Sequence, residues 1–295
     1  MSLIVLYPDE APERITELFR ELEATCAGDP SIGGAMLGLR PLVIGGFFNQ
    51  LALISAGRAR EAAALLPRLL ELTGGSGNPI ELGMLHQGAA RGLGRRGDHA
   101  GALEAIHRAV EQIQRTSNPT SRAAVHASFA VVARRAGRLA EAERELEAAI
   151  RIGLDGHVSA TAGTHWLGQL ATLRLELGNP AGAREAAERG LAFALEHQLG
   201  GAEAANRVAL ARVLLVEQGE KATRIAREEV DRAEALARER NLQTVLALVE
   251  ETRAELAALE GDGAARERAL REAARLHRAC GDALAAEQLE AQLAS

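Results

Sequence analysis

Three histidines in this sequence recur almost in step. His86 and His126 are forty residues apart, each eleven residues before a glycine, and His165 lies close to the same register beside the only tryptophan, Trp166. Imidazoles can hold zinc, but only where ligands converge to about 2.1 Å from the ion. Side chains repeated on neighbouring helices start from axes about 8–10 Å apart. No carboxylate or cysteine recurs in step with these histidines. They are therefore read as packing or groove-lining residues, and no metal and no cofactor is expected. Arginines form a second series: Arg91, Arg95, Arg96, Arg134, Arg135 and Arg174 all fall shortly before Gly97, Gly137 or Gly178. At the C-terminal ends of helices such cations offset the dipole by about 0.3–1 kcal/mol each. Aligned from repeat to repeat, they also form a stripe suited to an acidic peptide or a phosphate.

Catalytic patterns are missing around these residues. Gly74-Gly75-Ser76-Gly77 looks like a phosphate cradle, but no strand-like run precedes it, so it reads as an inter-helix loop. The single lysine stands in Gly219-Glu220-Lys221-Ala222, which is not a phosphate-binding Gly-Lys-Ser/Thr loop. Acidic pairs such as Glu228-Glu229 and Glu250-Glu251 read as solvated helix faces. Trp166, Phe47 and Phe48 fit a core role, with Trp166 also a candidate ligand platform. No catalytic residue is assigned, and the chain is not expected to be an enzyme.

The elements that place these side chains follow from the glycines. Gly57, Gly97, Gly137, Gly178, Gly219 and Gly261 recur every forty to forty-two residues. After the first four, an alanine follows at the fifth position: Ala62, Ala102, Ala142 and Ala183. A glycine ends one helix in a conformation other residues disfavour, and a small alanine lets the next helix pack closely. An apolar helical stretch precedes each glycine, and an amphipathic one follows, as in Ala102, Leu103, Ile106, Ala109, Val110 and Ile113. Asn78-Pro79, Asn118-Pro119 and Asn179-Pro180 carry helix-start chemistry. The last two repeats are blurred, with Arg224 where the packing alanine is due.

These features predict an all-α, right-handed α-solenoid of about six helical hairpins forming a single body over 1–295. Residues 1–40 supply a capping helix (from Pro12 to Cys26) and a Gly-rich connection, 41–281 the six repeats, and 282–295 a C-terminal capping helix. The period overlaps the HEAT and armadillo range, but the glycine–alanine spacing across the turn favours tetratricopeptide-like hairpins. Aromatics at 2% and a Leu- and Ala-rich composition agree with helices.

A net charge of −6 gives a nucleic-acid partner no global electrostatic support. No run reaches the eighteen or so apolar residues of a membrane span. Cys26 and Cys280, near opposite ends, are expected to be unpaired, which fits a reducing cytoplasm. Met1-Ser2-Leu3 reads as a possible cloning remnant, which would make the chain a fragment of a longer protein.

Three passages carry a resemblance. They are Leu37-Gly38-Leu39-Arg40-Pro41 with Ala56-Gly57-Arg58; Ala209-Leu210-Ala211-Arg212-Val213-Leu214-Leu215; and Leu270-Arg271-Glu272-Ala273 with Gly281-Asp282-Ala283. The chain resembles the C-terminal repeat region of bacterial signalling proteins that join a class III adenylate cyclase or a LuxR-type DNA-binding domain to a STAND-type ATPase. The resemblance implies a sensor or scaffold whose nucleotide chemistry lies elsewhere in a parent protein. The expected function is a protein- or peptide-binding regulatory module, with a small-molecule effector inside the superhelix as the alternative. Arg91, Arg95, Arg134, Arg135, Arg174, His86, His126, His165 and Trp166 are the expected groove residues.

Overall fold

The computed structural model describes residues 12–27, 29–34, 38–56, 58–73, 78–155 and 160–293. Gly57 and the Gly74–Gly77 loop, both singled out above, lie outside these residues, as do Gly28 and Met1–Leu3. Among the described residues all regular structure is helical. The helices are α1 (Pro12–Cys26), α2 (Pro41–Ser55), α3 (Ala59–Leu72), α4 (Pro79–Arg95), α5 (His99–Gln114), α6 (Pro119–Arg135), α7 (Leu139–Ile150), α8 (Ala160–Glu176), α9 (Pro180–Glu196), α10 (Gly200–Gln218), α11 (Thr223–Glu239), α12 (Gln243–Leu259), α13 (Gly263–Ala279) and α14 (Ala283–Leu293). A π-turn follows α7 at Arg151–Asp155, and a 3-10 turn at Gly219–Ala222 joins α10 to α11.

Local chemistry sets the helix boundaries. The side chains of Asn78, Asn118 and Asn179 accept backbone N–H bonds from Ile80, Ser121 and Gly182 at 3.0, 2.9 and 3.0 Å, with proline in the first helical position of each. Each satisfies an amide that the helix itself leaves unbonded. At the other ends, Gly97, Gly137, Gly178 and Gly261 take φ of +78°, +75°, +71° and +73°. The amides of Asp98, Asn179 and Asp262 then reach back five residues to Leu93, Arg174 and Ala257 at 3.1, 2.8 and 2.9 Å. That closure needs a left-handed residue, where a side chain would be strained.

Ala62, Ala102, Ala142 and Ala183, five residues after their glycines, are all buried. The fifth hairpin departs from this spacing for a visible reason. Gly219 adopts φ +56° and ψ −134° and leads into the 3-10 turn, so Ala222 and Ala226 take the packing role and Arg224 points to solvent.

The chain forms two compact units, residues 1–137 and 138–295. The boundary falls at Gly137, between the two helices of the third sequence repeat. In unit 1, α1 packs on α2, and the first helices α2, α4 and α6 pack in series, with α3 and α5 each lodged against the first helix on either side. Phe19, Val43, Leu69 and Leu85 lie in its core. Unit 2 repeats the arrangement: α8, α10 and α12 pack in series, α9 and α11 bridge them, and α13 lies on α12 and carries α14. Val208, Val230, Val249 and Leu256 fill that core. Cys26 and Cys280 are both buried.

Candidate functional site

The sequence-predicted arginines of unit 1 sit at one end of two first helices that pack on each other. Arg91 and Arg95 are one turn apart on α4, and Arg134 and Arg135 close α6. Arg95 and Arg135 hold the same repeat position, two residues before Gly97 and Gly137. The stem of Arg135 crosses toward α4: a Cβ placed on Gly94 would lie 3.8 Å from Arg135 Cδ. Arg134 is exposed, and the other three are half-buried, so their apolar stems cover helix surface while the heads stay near water. Helix α6 contains no acidic residue. The only one in α4 is Glu81, in its first turn, fully buried and accepting the Arg40 amide at 2.7 Å. The C-terminal ends of α4 and α6 are thus basic by composition.

His86 and His126 lie on the same two helices, both half-buried. Burial holds the His86 pKa below its usual value; Arg108 on α5 adds to the effect and Glu111 opposes it. His107 on α5 meets Phe129 on α6 edge-on, with ring centroids 5.0 Å apart.

In unit 2 the predicted arginine joins three helices. Arg174 stands four residues before Gly178 rather than two, and a two-residue shift turns a side chain by about 200° around a helix. It donates to Glu143 Oε1 at 2.9 Å, to Glu147 Oε1 at 2.6 Å and to the Gly182 carbonyl at 3.1 Å, tying α7, α8 and α9 together. Burial opposes its charge, but the two carboxylates outweigh burial and raise its pKa. Arg174 also borders a cleft of about 190 Å³ with Ile150, Leu167, Leu170, Arg151 and Arg189. Trp166 and His165 are half-buried on α8. The indole lies on the π-turn, where a Cβ added to Gly153 would fall 2.6 Å from the ring.

Other first-helix arginines of unit 2 are also paired. Arg207 meets Glu203 at 2.8 Å and Glu229 at 2.5 Å, Arg212 meets Glu255 at 2.8 Å, and Arg253 meets Glu234 at 2.5 Å and Glu250 at 2.8 Å. At the repeat position held by Arg95 and Arg135, unit 2 places Glu176 and Glu217. Through residue 137 the sequence has 14 arginines against 13 carboxylates; from 138 onward, 19 arginines and Lys221 face 27. The negative charge of the chain therefore resides in unit 2.

Sequence reasoning missed a set of buried polar rungs between packed first helices. Gln87 on α4 donates to Ser128 Oγ on α6 at 2.6 Å. Asn206 on α10, fully buried, donates to the Thr164 and Ala202 carbonyls at 3.1 and 2.8 Å. A Cβ on Gly190 would lie 2.0 Å from Asn206 Oδ1, and one on Gly88 would lie 2.6 Å from Gln50 Oε1. Glycines in mid-helix, disfavoured there by about 1 kcal/mol, were the available signal.

Among the described residues no three of His, Cys, Asp and Glu gather as a metal site. No described helix is long and apolar enough to cross a membrane. The architecture is an α-solenoid of tetratricopeptide-like helical hairpins.

Solved structures share this architecture. The chain is similar to apo RapI (TM-score 0.68, 13% identity, 90% of each chain covered). It is also similar to BtubC from P. vanneervenii (TM-score 0.53, 18% identity, 76% of this chain and 90% of that one). A third neighbour is PilF of Pseudomonas aeruginosa (TM-score 0.51, 18% identity, 85% and 97%). At these identities the likeness is one of fold. No known family profile and no curated protein matches the chain.

Proposed function

We propose that the chain is a protein- or peptide-binding regulatory module, working within a bacterial signalling protein of the kind its sequence resembles. Its partner is acidic and docks on the first helices of unit 1. Arg91, Arg95, Arg134 and Arg135 supply the charged contacts, and His86 and His126 line the same two helices. In unit 2, Arg174, His165 and Trp166 are the corresponding candidates. One observation carries this reading: two packed helices end in four arginines, and the only carboxylate on either helix is buried in the first turn of α4. Charge aligned over successive hairpins is how solenoids build extended binding surfaces.

The second reading, a small-molecule sensor, draws on the cleft beside Arg174. Its volume of about 190 Å³ is below the roughly 300–1,000 Å³ of pockets that enclose drug-sized ligands, so it suits only a small effector.

The test is capture from a lysate of the source organism, with the whole chain as bait and mass spectrometry of retained proteins and small molecules. The expected result is an acidic protein held by the native chain and lost when Arg91, Arg95, Arg134 and Arg135 are all changed to Ala. Capture that ignores these substitutions would sink the proposal, and a retained metabolite without protein would favour the sensor.

A further inference from the structure

One place in unit 2 departs from the regular hairpin packing and leaves an opening. The second helix α7 is 12 residues long, against 16 in α5 and 17 in α9, α11 and α13. Where it stops, the chain makes the π-turn Arg151–Asp155, and single π-turns are frequent at functional sites. Beside that turn lies the cleft of about 190 Å³ between α7, α8 and α9. The buried side chains of Ile150, Leu167 and Leu170 give it an apolar lining. An apolar cavity of about 150 Å³ holds benzene, so this one has room for a branched aliphatic chain.

The charged groups around the cleft fall into two sets. Glu147 and Arg174 are tied to each other at 2.6 Å, and Arg189 already interacts within the chain. Arg151 and Glu185, both exposed, make no side-chain hydrogen bond or ion pair among the described residues. The cleft thus offers one guanidinium and one carboxylate that the protein itself does not engage. A ligand that matches both carries a carboxylate, an ammonium group and an apolar body. Resting on the small-effector reading, we infer that the cleft binds a free apolar amino acid about the size of leucine. Its carboxylate meets Arg151 on the π-turn, its ammonium group meets Glu185 on α9, and its side chain lies on the apolar lining. A simple anion would leave Glu185 unmatched, and a simple amine would leave Arg151 unmatched.

Isothermal titration calorimetry of the full chain with three molecules built on the same branched chain tests this. Leucine carries both charges, isocaproate lacks the ammonium group, and isoamylamine lacks the carboxylate. An exposed charge pair is worth up to about fivefold in affinity, so leucine is expected to bind about fivefold tighter than either analogue. Glu185→Gln should bring leucine to the affinity of isocaproate, and Arg151→Gln should bring it to that of isoamylamine. Arg144→Gln should change nothing: Arg144 is exposed on α7 outside the cleft lining and controls for net charge.

Isocaproate or isoamylamine binding as tightly as leucine would overturn the amino-acid assignment and leave the small-effector reading standing. Leucine binding that ignores Arg151→Gln and Glu185→Gln would place the ligand elsewhere and overturn the inference. Absence of binding by all three at millimolar concentration would overturn it too. The small-effector reading falls with it only if the lysate capture also retains no small molecule. Circular dichroism of each variant separates lost binding from lost fold.

Discussion

Helices α4 and α6 in unit 1, and α10 and α12 in unit 2, are built alike and used differently. Each pair packs side by side as first helices of successive hairpins. In unit 2 the arginines of these helices are tied into ion pairs with second helices or with their own neighbours: Arg207 to Glu229, Arg253 to Glu234, Arg212 to Glu255. In unit 1, α4 and α6 carry Arg91, Arg95, Arg134 and Arg135 toward their C-terminal ends, where neither helix has a carboxylate of its own. The packing positions, glycine and buried alanine, are shared, so they specify the fold and leave the remaining positions open. Those remaining positions are where the two units diverge, with Arg95 and Arg135 in one against Glu176 and Glu217 in the other.

What the units share yields the largest expected effect. Gly190→Ala places a methyl group against buried Asn206, whose amide is held by two carbonyls. Overpacking a fixed site costs about 1–3 kcal/mol, and the expected loss in chemical denaturation is toward the upper end. Gly88→Ala in unit 1 meets the longer Gln50 side chain and should cost less; the reverse order would show that the rungs of unit 1 are the stiffer ones.

Next is the division of labour itself. Arg253→Ala leaves Glu234 and Glu250 without their shared cation and should cost about 1–2 kcal/mol of stability. Arg95→Ala should weaken binding of an acidic partner, whereas Arg253→Ala should leave that binding unchanged. Equal loss of binding in the two variants would break the contrast.

The smallest effect concerns pH. The folded pKa of His86 lies below its ordinary value of about 6.5, so the unfolded chain takes up the proton first. The stability contribution is complete above that value and declines as pH falls below it. Melting temperatures at pH 7.5 and 5.5 should therefore converge slightly in His86→Gln compared with the native chain. An unchanged difference would mean that His86 does not feel its burial.

Much of this was legible because it is local. An asparagine before a proline caps its own helix within three residues, so Asn78, Asn118 and Asn179 marked α4, α6 and α9 without knowledge of the fold. The glycine rhythm found the hairpins for the same reason. Asn206 was not legible: its partner Thr164 is forty-two residues away, and nothing near either residue in sequence announces the bond. Arg174 reads like Arg95 and Arg135 in composition, but its two-residue offset turns it toward Glu143 and Glu147. Arg224 shows the converse, since the 3-10 turn after Gly219 shifts the register that made it look misplaced.

The contact of Trp166 with Gly153 gives the molecule a built-in optical reporter. Trp166 is the only tryptophan, and its ring rests on the π-turn of unit 2. Indole emission during denaturation therefore follows unit 2 alone, whereas far-ultraviolet ellipticity sums the helices of both units. Superimposable curves from the two signals mean that the units melt as one cooperative body. An emission change displaced from the ellipticity change means that each unit carries its own stability, and the native sequence reveals which without any label.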